Sequence, residues 1–223
     1  TDFDDVLVGD TADNVFRALQ TLPGIAATTE FDSRISVRGG SPDENLTIMD
    51  GVEIHNPYRL FGLTSAFNPE TVRSFDLFAG AFSSKYGDRL SSLLVVENRP
   101  GSDAERFSGS TAVSLTDANA VFEGRLPGDK TGSWIVTARR TYYDLVANSL
   151  VGTELPAFGD IQGRFDWNLR PGTRLTFFGL LSREATDAFF EGDRDGEQGD
   201  FVTTARNDRA SLKLTALLGL SVS

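Results

Sequence analysis

The chain has 223 residues, which is enough for one large domain or two modest ones with a buried core. Its formal net charge of -11 argues against nucleic acid as a partner, because phosphate binding needs basic patches. It has no cysteine, which excludes disulfides and thiolate metal sites. No apolar run reaches the roughly 18 to 20 residues that a transmembrane helix needs.

The first hundred residues predict a compact α+β domain with a mixed sheet. A helix is predicted from the N-cap candidate Thr11 through Leu22, where Pro23-Gly24 ends the apolar period. Asn68-Pro69-Glu70 has the pattern of a short helix start. Strands are predicted at Arg34–Arg38, Leu46–Met49, Phe75–Phe78 and Leu93–Glu97. The segment from Arg99 to Ser102 predicts a boundary, and hence domains at 1–100 and 101–223.

After this boundary, apolar residues recur with the period of two that is typical of strands. About six strands are predicted, within 107–116, 118–126, 133–143, 161–169, 173–182 and 209–220. A soluble β-sandwich also alternates in this way, so the pattern alone leaves two architectures open.

Three features favour a membrane barrel over a sandwich. The segments run about 9 to 11 residues, the length with which a tilted strand crosses a bilayer. Aromatic residues such as Trp134 and Trp167 lie near segment ends, as interfacial girdles do. The connections alternate between short turns and long loops. The long loops are predicted at about 144–159 and 184–207, and the second contains a dense acidic run.

Six strands are too few to close a membrane barrel, because each unpaired edge amide in lipid costs several kcal/mol. The smallest single-chain bacterial barrels have about eight strands. We therefore expect that this chain is the front of a longer protein or that it pairs with another chain.

An ordered set of motifs in the chain resembles the TonB-dependent outer-membrane receptors. Residues 1–100 resemble the plug domain of these receptors, and the remainder resembles the first strands of their barrel. Each motif alone is weak, but the order and spacing together are specific. The motifs are "ALQTLPGI" (18–25), "ISVRGG" (35–40), "NLTIMDGVEI" (45–54), "NPETVRSFDLFAGAFSSKYG" (68–87), "LLVVENRP" (93–100) and "GSWIVTARRTYYD" (132–144).

The resemblance implies a transport receptor of the bacterial outer membrane rather than an enzyme. A plug domain would block a barrel of roughly 22 strands, whose lumen is wide enough to need plugging. The periplasmic energy-coupling protein TonB would act on the N-terminus and rearrange the plug, so that a bound nutrient, either a small molecule or an oligomer, passes through. The implied partners are TonB, that substrate and the outer-membrane lipid, and no cofactor is implied.

The resemblance also points to individual residues. Plug arginines in this family pair with barrel carboxylates, and Arg38 and Arg89 are the candidates for such a latch by their position in the motifs. Tyr58, Phe61 and Phe67 form either a substrate-facing plug loop or packing against the barrel wall.

Two departures from the family pattern stand out. The segment from Asp88 to Ser92 replaces the small residues and Gly-Gly that follow Tyr-Gly in many plugs. A TonB box, the short segment recruited by TonB, is not recognisable in Thr1–Gly9.

Two alternatives from other functional classes remain open. The first is a soluble, envelope-located β-rich binding module. The second is a hydrolase built on His55, the only histidine, and neighbouring carboxylates. No nucleophile–base pair has recognisable spacing, and the carboxylates lack the regularity of a calcium loop, so no catalytic or metal site is predicted. The carboxylates, expected instead in turns and on solvated faces, are those of Asp43, Glu44, Asp50 and Glu53.

Overall fold

The computed structural model describes residues 25–27, 34–59, 64–80, 86, 91–114, 117–128, 131–142, 157–191 and 198–216. The chain forms two compact units, residues 1–99 and residues 100–223. The helix predicted over 11–22 lies outside the described residues.

The first unit contains a mixed four-stranded sheet in the order β4-β3-β8-β7, as the sequence predicts for this domain. Its central strands β3 and β8 pair in parallel, and the other neighbours pair antiparallel. The described part of the unit also contains two small antiparallel pairs, β1-β2 and β5-β6, and a 3₁₀ helix at Pro42–Glu44. The strands are β1 (Ile25–Ala27), β2 (Ile35–Val37), β3 (Asn45–Met49), β4 (Val52–Glu53), β5 (Tyr58–Arg59), β6 (Thr64–Ser65), β7 (Val72–Phe78) and β8 (Ser92–Asn98).

The core of the first unit is centred on β8. Leu93, Leu94 and Val96 are all buried, although consecutive side chains of a strand point to opposite faces. Both faces of β8 are therefore covered, as is usual for a strand with a parallel partner.

The short helix predicted to start at Asn68-Pro69 is wrong, because these residues form a turn. The Asn68 carbonyl accepts hydrogen bonds from the amides of Thr71 and Val72, at 3.0 and 3.3 Å. Strand β7 then begins at Val72, where buried apolar residues recur in the extended chain. The Asn-Pro pattern marks the start of a turn here, and the following strand prevents a helix from continuing.

The second unit is a single antiparallel sheet of six strands in chain order, which confirms the predicted run of barrel-type strands. Within the described residues, β9 and β14 are its edges. The strands are β9 (Ser108–Val113), β10 (Asp117–Arg125), β11 (Thr131–Thr141), β12 (Ala157–Arg170), β13 (Thr173–Glu191) and β14 (Gln198–Ala216).

The long acidic loop predicted over 184–207 is wrong for most of its length. β13 and β14 form a continuous ladder from Thr173↔Ala216 to Glu191↔Gln198, and only residues 192–197 between the strands lie outside the description. Backbone pairing satisfies the amides of this segment whatever the charges of its side chains. A high density of carboxylates therefore does not by itself predict a loop.

The six-stranded sheet has one exposed apolar face and one buried, largely polar face. Ile161, Phe177 and Leu212 are exposed, Leu212 at 69 % of its area. Asp160, Gln162 and Thr137 are buried. A soluble sandwich buries its apolar face, whereas a membrane barrel turns its apolar side chains outward and its polar ones inward. The sheet therefore has the pattern of a membrane barrel. Among the described residues, no helix is long and apolar enough to cross a membrane.

Candidate functional site

The latch candidate Arg38 lies at the tip of a tight turn in the first unit. Arg38 and Gly39 both have positive φ, 49° and 82°, and the Gly40 amide donates to the Val37 carbonyl at 3.0 Å. Positive φ at both central residues is the requirement of a type I′ turn. The Arg38 side chain is exposed, so the turn presents a cation to its surroundings.

Hydrogen bonds fasten this turn to its neighbours. The Ser36 hydroxyl donates to the Gly40 carbonyl at 2.7 Å, and the Ser91 hydroxyl donates to the Val37 carbonyl at 2.9 Å. A Cβ atom at Gly40 would lie 2.6 Å from the Cβ of Ser91, which only glycine avoids. The position of the Arg38 backbone is thus fixed on both sides of the turn.

Of the four other predicted site residues, two are buried and two are not described by the structure. Arg89 and Phe61 lie outside the described residues. Tyr58 and Phe67 are buried, Phe67 completely, and the Tyr58 hydroxyl accepts a hydrogen bond from the Ile35 amide at 3.4 Å. Contact of Tyr58 or Phe67 with a substrate therefore requires that the side chain first become exposed, and this role stays a prediction.

Asp50, one of the candidate catalytic carboxylates, is a structural residue of a hairpin. Asp50 and Gly51 have φ of 47° and 83° and connect β3 to β4. Both Asp50 carboxylate oxygens accept hydrogen bonds from Asn98, one from the backbone amide at 3.3 Å and one from Nδ2 at 2.7 Å. The carboxylate therefore ties this hairpin to the end of β8.

The hydrogen bonds between Asn98 and Asp50 are part of a larger polar network at the same end of the sheet. The Thr71 hydroxyl lies 3.0 Å from the Asn98 side-chain oxygen and 2.9 Å from the Asn68 carbonyl. Asn68, Thr71 and Asn98 are all buried. The sequence predicted the bend at Asp50, but at Asn68 it predicted a helix start instead of the turn. It missed their connection through Asn98, because no local pattern links residues 48 positions apart.

The remaining candidates for catalysis also have local partners. Glu53 lies 3.3 Å from the exposed His55 Nδ1. Glu44 accepts the Ser41 amide at 3.1 Å as part of a capping box at the 3₁₀ helix, and Asp43 accepts the Ser41 hydroxyl. Among the described residues no group of three or more His, Cys, Asp or Glu side chains could hold a metal ion.

The buried face of the second unit contains ion pairs that the sequence did not predict. Arg139 on β11 faces Asp160 on β12, with Nη2–Oδ2 at 2.7 Å and Nε–Oδ2 at 2.9 Å. Their side chains are 5 % and 0 % exposed. On the same face Arg164 donates to Asp166 at 2.8 Å, and Thr176 donates to that carboxylate at 2.7 Å.

The apolar outward face and this charged inward face together indicate a barrel wall that lines a polar interior. Comparison of the sequence with protein-family models gives a match to the TonB-dependent Receptor Plug Domain over residues 5–92. The chain carries the plug domain of the TonB-dependent receptor family. Proteins of this family are bacterial outer-membrane proteins, and we assign the chain to that membrane.

Solved TonB-dependent receptors share the fold of this chain. A mutant ferric enterobactin receptor from Pseudomonas aeruginosa is 18 % identical, with a TM-score of 0.55, over 82 % of this chain and 32 % of its own. A siderophore receptor from Pseudomonas aeruginosa is 18 % identical, with a TM-score of 0.55, over 94 % of this chain and 42 % of its own. A siderophore receptor from Acinetobacter baumannii is 17 % identical, with a TM-score of 0.58, over 83 % and 31 %.

These matches confirm the predicted fold class, a plug domain followed by antiparallel barrel-type strands. The chain spans between about a third and two fifths of the length of the solved receptors. No curated protein matches the chain.

Proposed function

We propose that this chain is part of an active-transport receptor, in which the plug domain gates a large β-barrel. TonB-coupled energy moves the plug and admits a bound nutrient. The observation that carries this proposal is the joining, in one chain, of a plug domain to a sheet with an outward apolar face and a buried charged face. We likewise propose the division into a plug at 1–100 and barrel strands from 101 onward.

The substrate of this receptor is proposed to be a small-molecule or oligomeric nutrient. The solved relatives are described as receptors for ferric enterobactin or for siderophores, which makes ferric siderophores the first class to test. Transport, rather than hydrolysis at His55, is the activity expected of the chain.

Gating can be tested without knowledge of the substrate. The intact receptor and a receptor lacking residues 1–99 are expressed at equal levels in a porin-intact strain, and susceptibility to vancomycin is measured. Loss of the plug is expected to sensitise the cells, because an unplugged large barrel leaves an open lumen. Equal susceptibility at equal outer-membrane levels would argue against the gate.

Energy coupling is tested by uptake of iron-labelled siderophores in cells with and without TonB. The receptor should support uptake of at least one ferric siderophore only when TonB is present. Uptake that continues unchanged without TonB would contradict energy coupling. Membrane insertion is a separate question: if carbonate releases the protein from membranes, the soluble binding module is the better interpretation.

We also propose that Arg38 and Arg89 latch the plug to carboxylates of the barrel. The exposed Arg38 side chain on a fastened turn supports this role, because a bidentate arginine–carboxylate pair requires a fixed geometry. Tyr58, Phe61 and Phe67 remain candidates for contact with the substrate after the plug rearranges.

The latch is tested with Arg38→Ala and Arg89→Ala, and with Arg73→Ala as the matched control. Arg73 is an exposed arginine on β7 of the same unit. Vancomycin susceptibility reports plug retention, and siderophore uptake reports transport. The two latch variants are expected to change at least one readout, whereas Arg73→Ala should change neither. If both latch variants match the wild type, the latch role is wrong.

A further inference from the structure

Strand β2 leads into the Arg38 turn, but it is not part of the four-stranded sheet of the first unit. Among the described strands it pairs only with β1, over three residues. Ile35 and Val37, at its two ends, are nevertheless each 1 % exposed. Buried backbone groups need hydrogen-bond partners. The carbonyl groups at both ends of β2 find them in side chains from other parts of the unit.

The first of these ties is made by Ser91. Its hydroxyl donates to the Val37 carbonyl at 2.9 Å, and its amide donates to the Glu44 carbonyl at 3.2 Å. The Val37 carbonyl and the Arg38 amide belong to one peptide group, so the hydroxyl bond fixes the plane from which Arg38 starts. Arg38 has a φ of 49°, which residues other than glycine rarely adopt. The tie at Val37 therefore helps to hold Arg38 in an unfavourable conformation.

The second tie is made by Ser92 through Asn45. Ser92 is fully buried at the start of β8, and its hydroxyl donates to the Asn45 side-chain oxygen at 2.7 Å. The Asn45 side-chain nitrogen donates to the Ile35 carbonyl at 3.0 Å. Asn45 and Ser92 are direct partners in the parallel ladder between β3 and β8. The Ser92 hydroxyl thus orients the Asn45 amide so that its nitrogen faces β2.

The two ties together fasten both ends of β2 to the start of β8. Ser91 acts at Val37, the last residue of β2, and Ser92 acts through Asn45 at Ile35, the first residue. We call Ser91, Ser92 and Asn45 the hydroxyl clamp. Because β8 is a central strand of the four-stranded sheet, the clamp links the Arg38 turn to the most buried part of the unit.

The two serines lie in the segment where the chain departs from the family pattern. Many plugs have small residues and a Gly-Gly after Tyr-Gly, whereas this chain has the segment from Asp88 to Ser92. A Gly-Gly has no hydroxyl that could donate to a carbonyl or to an asparagine side chain. The hydroxyl clamp is therefore a feature of this chain rather than of the plug pattern in general.

We propose that Ser91 and Ser92 are positioning residues for the Arg38 latch, because their hydroxyls fasten β2 to β8 and so present the Arg38 side chain in one orientation. This inference rests on the proposed latch, since a bidentate pair with a carboxylate is what requires a fixed orientation. Loss of one hydroxyl hydrogen bond should raise the population of a displaced turn about fivefold.

The mobility of the turn can be measured without use of the latch. A nitroxide is attached to Arg38→Cys in the intact receptor, after any cysteine outside these 223 residues has been replaced by serine. Electron paramagnetic resonance then gives the fraction of label that is mobile. Ser91→Ala and Ser92→Ala are each expected to raise this fraction about fivefold.

Two controls separate a local effect from a general loss of stability. Ser74→Ala removes a half-buried hydroxyl of the neighbouring strand β7 that makes no hydrogen bond within the described part of the chain. It should leave the mobile fraction at residue 38 unchanged. A nitroxide at Glu53→Cys, an exposed position on β4, reports on a different hairpin. Its mobility should be the same with Ser91 as with Ser91→Ala.

Vancomycin susceptibility and siderophore uptake then show whether the serines act through Arg38. Ser91→Ala and Ser92→Ala should each change the same readout as Arg38→Ala, to a smaller extent. In the Arg38→Ala background, neither serine variant should add a further change, because the group that the serines position is absent. A further change of the same size would mean that the serines contribute only stability, and it would overturn the proposal.

The clamp and the latch fail in different ways. An unchanged mobile fraction at residue 38 in both serine variants would overturn the clamp, as would an equal gain of mobility at residue 53. If Arg38→Ala changes neither vancomycin susceptibility nor uptake, the latch is wrong, and the mobile fraction alone decides whether the serines position the turn. If Ser92→Ala does not fold, Ser91→Ala, at a half-buried position, decides with the same measurements.

Discussion

Gly40 illustrates how a single residue position is determined by a distant part of the chain. Its φ is not positive, so the backbone alone would accept alanine at this position. The close approach of Ser91, which is far away in sequence, is what requires glycine. Gly39, the preceding residue, shows the opposite case, since its φ is 82° but there is open space around it.

Gly40→Ala is expected to lower the stability of the plug domain by about 1–3 kcal/mol, because the new Cβ overlaps Ser91. Gly39→Ala should cost about 1 kcal/mol through its positive φ alone. Calorimetry of the purified intact receptor compares the two variants. A cost for Gly40→Ala no larger than that for Gly39→Ala would contradict the steric argument.

At the scale of elements, the sequence located every strand of the second unit, but it predicted a loop over about half of the two longest, β13 and β14, and it missed the shortest strands of the first unit. Alternation identified all six strands of the second unit because each has at least six residues over which a period of two can be recognised. Strands β4, β5 and β6 have two residues each, which is too short for any periodicity. Their positions depend on contacts with the rest of the first unit.

The partners of polar residues could not be predicted from the sequence for a related reason. Arg139 and Asp160 are 21 positions apart, and only the register between β11 and β12 brings them together. A shift of one residue would move Asp160 to the opposite face of the sheet. Asp50 was recognised as part of a bend, but its tie to Asn98 requires knowledge that β8 lies beside β3.

The pair Arg139–Asp160 should behave as a buried ion pair. Arg139→Met or Asp160→Leu alone is expected to destabilise the barrel strands by about 3–5 kcal/mol, because each leaves an uncompensated buried charge. The double variant should recover most of this loss. The temperature at which the receptor loses its compact migration in detergent gels measures the effect.

The exposed pair Arg183–Asp208 provides the matched control for this prediction. Arg183→Met and Asp208→Leu are expected to leave the unfolding temperature unchanged, because water and salt screen an exposed pair. Equal losses for the buried and the exposed pair would mean that burial does not determine the cost.

At the scale of the whole molecule, the two faces of the second unit differ in the substitutions that they tolerate. Leu212 lies on the exposed apolar face of the sheet, whereas the neighbouring Ser211 points to the other face. The lipid-facing positions of a membrane barrel exclude charge, and the interior positions accept it. Two consecutive residues should therefore respond differently to the same change.

Leu212→Lys is expected to destabilise the membrane-inserted receptor by about 2–4 kcal/mol, whereas Ser211→Lys should cost much less. The fraction of receptor that reaches the outer membrane in its compact, heat-modifiable form is the measurement. If Ser211→Lys were the more harmful of the two, the assignment of the faces would be reversed, and a soluble sandwich would again be the better interpretation.

The pairing directions in the first unit have a mechanical consequence. Ile25 of β1 pairs with Val37 of β2, so a pull on the chain before β1 acts at the same end as the connection onward to β3. This antiparallel ladder would open one pair at a time. β3 and β8 are parallel, so tension entering at Asn45 and leaving at Asn98 acts at opposite ends and loads all their hydrogen bonds together. A pull from the N-terminus would therefore release β1–β2 at low force and stop at the β3–β8 ladder.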